Sequence, residues 1–242
     1  MLKKRKNILL RNSAVPSQHS GMASAWTIWQ LADSAFPAGS LAHSGGLEAS
    51  WQFGSIRDDD DLLDFLRTHL AQAGRSQLPV VAAALRGPDR CVEIDQFCDV
   101  LLSNHISNRA SRAQGRALLS STEAIYGAPA LRKLRAESVE KSLACHLPVV
   151  FGVLAAALDI GTALALRLYL FTTLRGVVSS AVRLGVVGPL KAQALQHVVG
   201  PFAGEVARRC ERIPLVEATH TAPVLELFQA NQDSLYSRLF QS

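Results

Sequence analysis

The chain predicts an all-α, single-domain bundle of about ten helices, and three observations carry that prediction. Apolar residues recur at three- and four-residue spacing through most of the sequence, and no segment alternates apolar and polar residues between hairpin turns. Gly and Pro mark short connections, with no linker of domain length and no internal repeat. Hydrophobic residues make up 48% of the 242 but aromatics only 6%, so the core must be built from small and aliphatic side chains, as in helical bundles.

The elements follow in order. A first short helix is expected over 26–34, stopped by Pro37, and a second over 41–52, with Ser40 as N-cap and His43 one turn before Leu47. Asp58 to Asp61 put carboxylates where the free N–H groups and dipole of a helix start favour anions, and Leu62, Leu63, Phe65, Leu66 and Leu70 continue as its apolar stripe. A helix from near Pro79 to Gly87-Pro88 comes next. From Ile94, the apolar positions Phe97, Leu101, Ile106, Ala110, Leu118, Leu119 and Ile125 predict helix running on to Gly127. Further helices are expected over 131–141, 148–158, 163–184, 189–210 and 223–240.

Charge excludes one class of partner. The net charge of +5 comes from Lys3, Lys4, Arg5, Lys6 and Arg11; without them, basic and acidic residues balance at 20 each. A neutral body lacks the basic footprint of a nucleic-acid binder. Residues 1–24 read as a disordered basic leader, with an organellar targeting segment as the other reading, and the domain proper as 25–242. No long apolar run marks a secretory signal, so the expected address is cytoplasmic. Asp159, Arg167, Arg175 and Arg183 interrupt the most apolar stretch too often for a membrane span, and core helices explain it better. Cys91, Cys98, Cys145 and Cys210 lack CxxC pairing and are expected as reduced, mostly buried thiols.

Residues 31–49, LADSAFPAGSLAHSGGLEA, are the most informative segment. Asp33, Ser34, His43, Ser44 and Glu48 surround a Pro-Ala-Gly break, and Gly45-Gly46 leaves room for close backbone approach. That polar density is more than helix packing needs. A hydrolase on Ser44, His43 and Asp33 lacks both GxSxG and a strand–elbow–helix context, so fixing a kink or presenting a surface is the favoured reading. No phosphate loop is present, and Cys145, His146, His43, His197 and His220 lack the spacing of a tight metal site. Arg109, Arg112 and Arg116 fall at i, i+3 and i+7 of a helix, either as a solvated face or as a docking surface for acidic groups. Near the C-terminus, Leu235, Tyr236, Leu239 and Phe240 would share one side of a last helix, with Arg238 and Ser242 polar, docked on the chain's own core or on a partner.

The signature over 31–49 resembles that of the urease accessory protein UreF family. NRASRAQGRALL (108–119), HLPVVFGVLAAALDIG (146–161), SSAVRLGVVG (179–188) and the terminal LYSRLFQS match it in the family's order. Two departures are Ser40-Leu41, where the family often carries a Gly-Phe type pair, and the Asp58 to Asp61 run. The resemblance implies a non-catalytic homodimer that bridges the scaffold protein UreD/UreH and the GTPase UreG and serves nickel delivery to apo-urease. It implies no tightly bound cofactor, with nickel passing transiently. Partner-facing residues are then expected among Asp33, His43, Glu48, Arg109, Arg112, Arg116, Arg183, Tyr236, Arg238, Leu239 and Phe240. Two alternatives remain: a metal-dependent hydrolase on His43, His146, Asp33 and Glu48, and a general helical adaptor unrelated to urease.

Overall fold

The computed structural model describes residues 24–39 and 42–241. The expected leader, apart from Ser24, and the expected N-cap Ser40 lie outside the described residues, as does Ser242. Among those described there are eleven α-helices and no strand: α1 Ala25–Ala32, α2 Leu47–Gln52, α3 Asp59–Ser76, α4 Leu78–Arg86, α5 Cys91–Leu101, α6 His105–Tyr126, α7 Pro129–Glu140, α8 Leu147–Ala157, α9 Thr162–Arg183, α10 Pro189–Cys210 and α11 Pro223–Ala230.

The most apolar helix forms the axis. Every residue of α8 from Pro148 to Ala155 is buried, which is why its sequence carries no polar face. It packs between α4 and α6, and at Gly152 an added Cβ would meet Ala84 and the Val81 carbonyl, so the two backbones touch where the side chain is missing. A second layer of α3, α9 and α10 covers α4. The aliphatic core expected from composition is present, with Phe151 and Tyr169 packed edge to face inside it. All four cysteines are free and buried. No helix among the described residues is long and apolar enough to cross a membrane.

Several element ends match the pattern that predicted them. Asp58 accepts the Asp61 N–H at 2.9 Å and caps α3, whose first turn carries Asp59, Asp60 and Asp61. The bounds of α10 coincide with the predicted 189–210.

Three elements differ. The second helix begins at Leu47, six residues late, because Gly45 and Gly46 take φ values of +65° and +92°. A Cβ at Gly45 would stand 2.7 Å from His69 Cε1 and one at Gly46 2.9 Å from Gln229 Cγ, so both positions require glycine for conformation and for space. His43 is therefore not on a helix with Leu47. The expected continuous helix from Ile94 to Gly127 is two helices, because the Asn104 side chain takes the N–H groups of Ile106 and Ser107 and starts α6 afresh. The last expected helix, 223–240, ends at Ala230, and the chain then runs through a 3-10 turn at Gln232–Ser234 into extended backbone. Leu235, Tyr236, Leu239 and Phe240 consequently do not share a face.

Candidate interaction site at the C-terminal segment

The N–H groups that a terminal helix would have satisfied internally are taken by one side chain. Glu48, at the start of α2 and 1% exposed, accepts the backbone N–H of Leu239 at 2.6 Å and of Phe240 at 3.1 Å, and the Gln232 amide at 2.6 Å. A buried carboxylate is costly unless its oxygens are paired, and here three donors meet it. Around this anchor, Arg109 of α6 reaches both oxygens of Asp233 (2.9 and 3.0 Å) and the Gln241 carbonyl, and Arg238 joins Asp233 at 2.8 Å. The Arg183 guanidinium lies 4.6 Å from the centre of the buried Phe240 ring. Gln52 donates to the Ser237 carbonyl, and the Gln241 N–H to Ala42.

Six of the eleven expected partner-facing residues, Glu48, Arg109, Arg183, Arg238, Leu239 and Phe240, thus converge on one short segment, with Tyr236 at its tip. Glu48 and Phe240 face inward, so neither is open to a partner. Tyr236 is fully exposed and Leu239 is 50% exposed. Gln52 ties the end of α2 to this segment, and its neighbours Trp51 and Phe53 are exposed; Phe53 stacks on Phe228 of α11, where Val224 and Leu227 are exposed as well. Gln52, Gln232 and Asp233 belong to this arrangement and sequence reasoning missed them; an acid five residues before Arg238 was the one signal available.

Asp33, Arg112 and Arg116 do not join this arrangement, and His43 borders it next to Ala42. Asp33 is exposed at the end of α1, where its side chain accepts the Ala35 N–H in a turn. Arg112 is half-buried near Asp99, and Arg116 is exposed further along α6. His43 is half-buried in the signature loop, its carbonyl accepting from Ser180; burial, helped by Arg109, lowers its pKa to about 4, so its ring is neutral near pH 7. Below the loop is a cavity of about 180 Å³ lined by His43, His69, Gln72, Glu226 and Gln229 among others. His69 Nδ1 is buried there without a protein partner among the described residues.

The residues of the hydrolase alternatives are not brought together. Ser44 is buried with its hydroxyl against the Glu48 N–H, Asp33 serves its own turn, and Glu48 holds the C-terminal segment. His146 is enclosed between Ser111 Oγ (3.1 Å) and Asp99 (3.0 Å), a Ser–His–Asp chain whose serine also accepts the Leu147 N–H and so caps α8. Cys145 and His146 precede that helix and do not lie on it; their N–H groups both go to the buried Asp95. No group of three or more His, Cys, Asp or Glu side chains among the described residues is arranged to hold a metal ion.

A family model described as UreF matches residues 56–200. The chain belongs to the UreF family. It is 35% identical over 233 residues to urease accessory protein F of Oryza sativa subsp. indica, covering 95% of this chain and 88% of that protein. Over 221 residues it is 34% identical to urease accessory protein F of Arabidopsis thaliana, at 90% and 92% coverage. A more distant relative, urease accessory protein UreF of Trichodesmium erythraeum, is 26% identical over 228 residues, at 92% and 98%. The matched UreF region stops short of both halves of the site, the signature and the C-terminal segment, whereas the full-length relatives extend beyond it on either side.

Proposed function

We propose that the chain is a urease accessory protein that acts in urease maturation as a non-catalytic bridge. In this reading its C-terminal segment docks on the scaffold protein UreD/UreH, another face recruits the GTPase UreG, and nickel reaches apo-urease as cargo of that complex. The observation that carries the docking step is the fixed C-terminal segment. It turns Tyr236 and Leu239 outward on a segment that Gln52 ties to the end of α2, where Trp51 and Phe53 are also exposed, aromatic groups of the kind that supply binding energy in protein interfaces. Membership of a family whose curated members are named urease accessory proteins supports the pathway.

The homodimer implied by the family resemblance finds support in a second apolar surface. Leu164, Phe171 and Val198 are exposed along α9 and α10, and Phe171 lines a cleft where Gly200 and Gly204 leave the α10 backbone bare. Such a stripe admits a second helix closely. Light scattering on wild type and on Phe171→Asp tests it, with a dimer expected for the first and a monomer for the second.

Truncation after Gln232 tests the docking reading. Helicity and thermal midpoint should stay close to those of the full chain while UreD/UreH binding is lost; retained binding would overturn the assignment. In a deletion strain, urease antigen should persist with little bound nickel and little activity, and normal activity at ordinary nickel supply would sink the pathway reading.

A further inference from the structure

We propose that His43 and His69 form an acid-sensitive latch: loop residues 43–46 close over the cavity while both imidazoles are neutral, and the loop lifts when they take up protons. The first argument is the fit of loop to ring. His69 stands on α3 with its ring stacked on Phe65, 6.1 Å between centres, and Gly45 lies so close over it that an added Cβ would come within 2.7 Å of Cε1. His69 Nδ1 is buried there without a protein partner among the described residues. A charged imidazole needs an acceptor for each of its two N–H groups, and beneath the closed loop Nδ1 has none.

The second argument is the charge on the cavity wall. Among the described residues, the ionisable groups that line it are His43 on the loop, His69 on α3, Tyr169 and Arg175 on α9, His220 just before α11 and Glu226 within it. Glu226 is the single carboxylate, and it is already engaged by His220 Nδ1 at 2.7 Å and by the Gln72 amide. Arg175 donates to the Ala32 carbonyl and the Tyr169 hydroxyl to Gln77, while Arg109 of α6 adds a further cation near His43. Two new imidazolium charges would therefore join a wall without a free counter-ion, and water is what relieves them. The bonds that hold the loop are uncharged. Gln229 Nε2 donates to the Gly45 carbonyl at 3.1 Å and Ser180 Oγ to the His43 carbonyl at 3.3 Å, and neither compensates a buried cation.

The direction follows from proton linkage. Burial, helped by Arg109 for His43 and opposed by Glu226 for His69, holds both pKa values at about 4, against 6.5 for an imidazole in water. Below pH 6.5 the open form takes up protons that the closed form refuses, so closure is complete at neutral pH and is lost as pH falls towards 4. From pH 7 to pH 5 the open-to-closed ratio rises about twentyfold for each imidazole and roughly four-hundredfold for the two together. Access to the cavity is thereby set by pH.

Amide hydrogen exchange on the full chain reads the latch at Leu47 and Ser50, whose N–H groups bond to the Ser44 and Gly46 carbonyls, with Val149 and Val150 of the central helix as controls. Protection at Leu47 and Ser50, referred to the free-peptide rate at each pH, should fall roughly four-hundredfold from pH 7 to pH 5. At both pH values it should stay below that of the controls and change little with dilute urea, the mark of a local opening that exposes little surface. His43→Asn and His69→Asn should each keep about a twentyfold fall, and the double variant none. If His69→Asn misfolds, His43→Asn alone decides, because an undiminished fall in that variant overturns the latch. So would unchanged protection in wild type, an acid response that survives in the double variant, or exchange at Leu47 and Ser50 in step with Val149 and Val150, which would report unfolding of the whole chain.

Discussion

Two places in this protein use the same device to different ends. At the start of α8, the buried Asp95 accepts the consecutive N–H groups of Cys145 and His146; at the C-terminus, the buried Glu48 accepts those of Leu239 and Phe240. The residues that follow Cys145 and His146 form the most buried helix of the fold, whereas those that lead up to Leu239 and Phe240, from Tyr236 to Arg238, are exposed. A carboxylate on paired backbone donors fixes a segment locally in both cases. What the fixing achieves depends on what is packed behind it: the core for α8, and water or a partner for the C-terminal segment.

If that contrast is right, breaking the first anchor should be far worse for the fold than breaking the second. Asp95→Ala leaves two N–H groups buried without acceptors beside the central helix, a loss of about 3 kcal/mol or more. Gly115→Ala should do comparable damage from the other side, since its Cβ would collide with the Cys145 carbonyl and stand 2.8 Å from the His146 carbonyl carbon, both backbone atoms that cannot step aside. Denaturant titration measures both. Either variant remaining as stable as wild type would show that the α8 start is not a keystone. Glu48→Gln, by contrast, should move the midpoint little and appear in partner binding.

The same contrast explains which parts of the molecule were legible in the sequence. Helices whose reasons for starting and stopping are local were readable: Asp58 caps its own helix, Pro189 opens α10, and the apolar run 148–155 buries itself whatever surrounds it. Features decided by distant partners were not. The pattern Leu235, Tyr236, Leu239, Phe240 is helical in spacing, and only a carboxylate 191 residues upstream removes its N–H groups from a helix. Likewise the spacing across 101–106 continues smoothly, and the short Asn104 side chain alone restarts the helix. The candidate site was half visible: Glu48, Arg109, Arg183 and Phe240 stand in stretches that resemble one family, but nothing in their spacing says that they meet.

Acid should sharpen the comparison. His43 and His69, which flank the cavity, have pKa values lowered by burial to about 4, against 6.5 when unfolded. Between those values the unfolded chain takes up protons that the folded chain refuses, so their contribution to stability is complete above pH 6.5 and is lost as pH falls towards 4. His220 has the opposite sign: its hydrogen bond to Glu226 raises its pKa, so its contribution is present below 6.5 and fades as pH rises through the raised value. Unfolding midpoints should therefore fall from pH 7 to pH 4.5, and His69→Asn should flatten the slope. An unchanged slope would mean that the cavity already hydrates the imidazole.

The smallest expected effects separate the members of the arginine row on α6, which spacing alone made equivalent. Arg109 is bound to Asp233, whose carboxyl it holds below its usual range, and it also reaches the chain terminus. Arg116 is exposed, and no ion pair is found for it among the described residues. Reversing Arg109 to Glu sets two carboxylates against each other across the segment and should loosen it, with a several-fold loss of UreD/UreH affinity. Reversing Arg116 acts only through long-range attraction to whatever approaches that face. Exposed charges interact weakly and are screened within about 8 Å at physiological ionic strength. Arg116→Glu should therefore leave stability unchanged and slow association with an acidic partner by a small factor that disappears in high salt. Binding rates compared at low and high ionic strength distinguish the two: a salt-independent loss for Arg109→Glu marks a broken clamp, and equal, salt-sensitive losses for both would return the whole row to a single docking face.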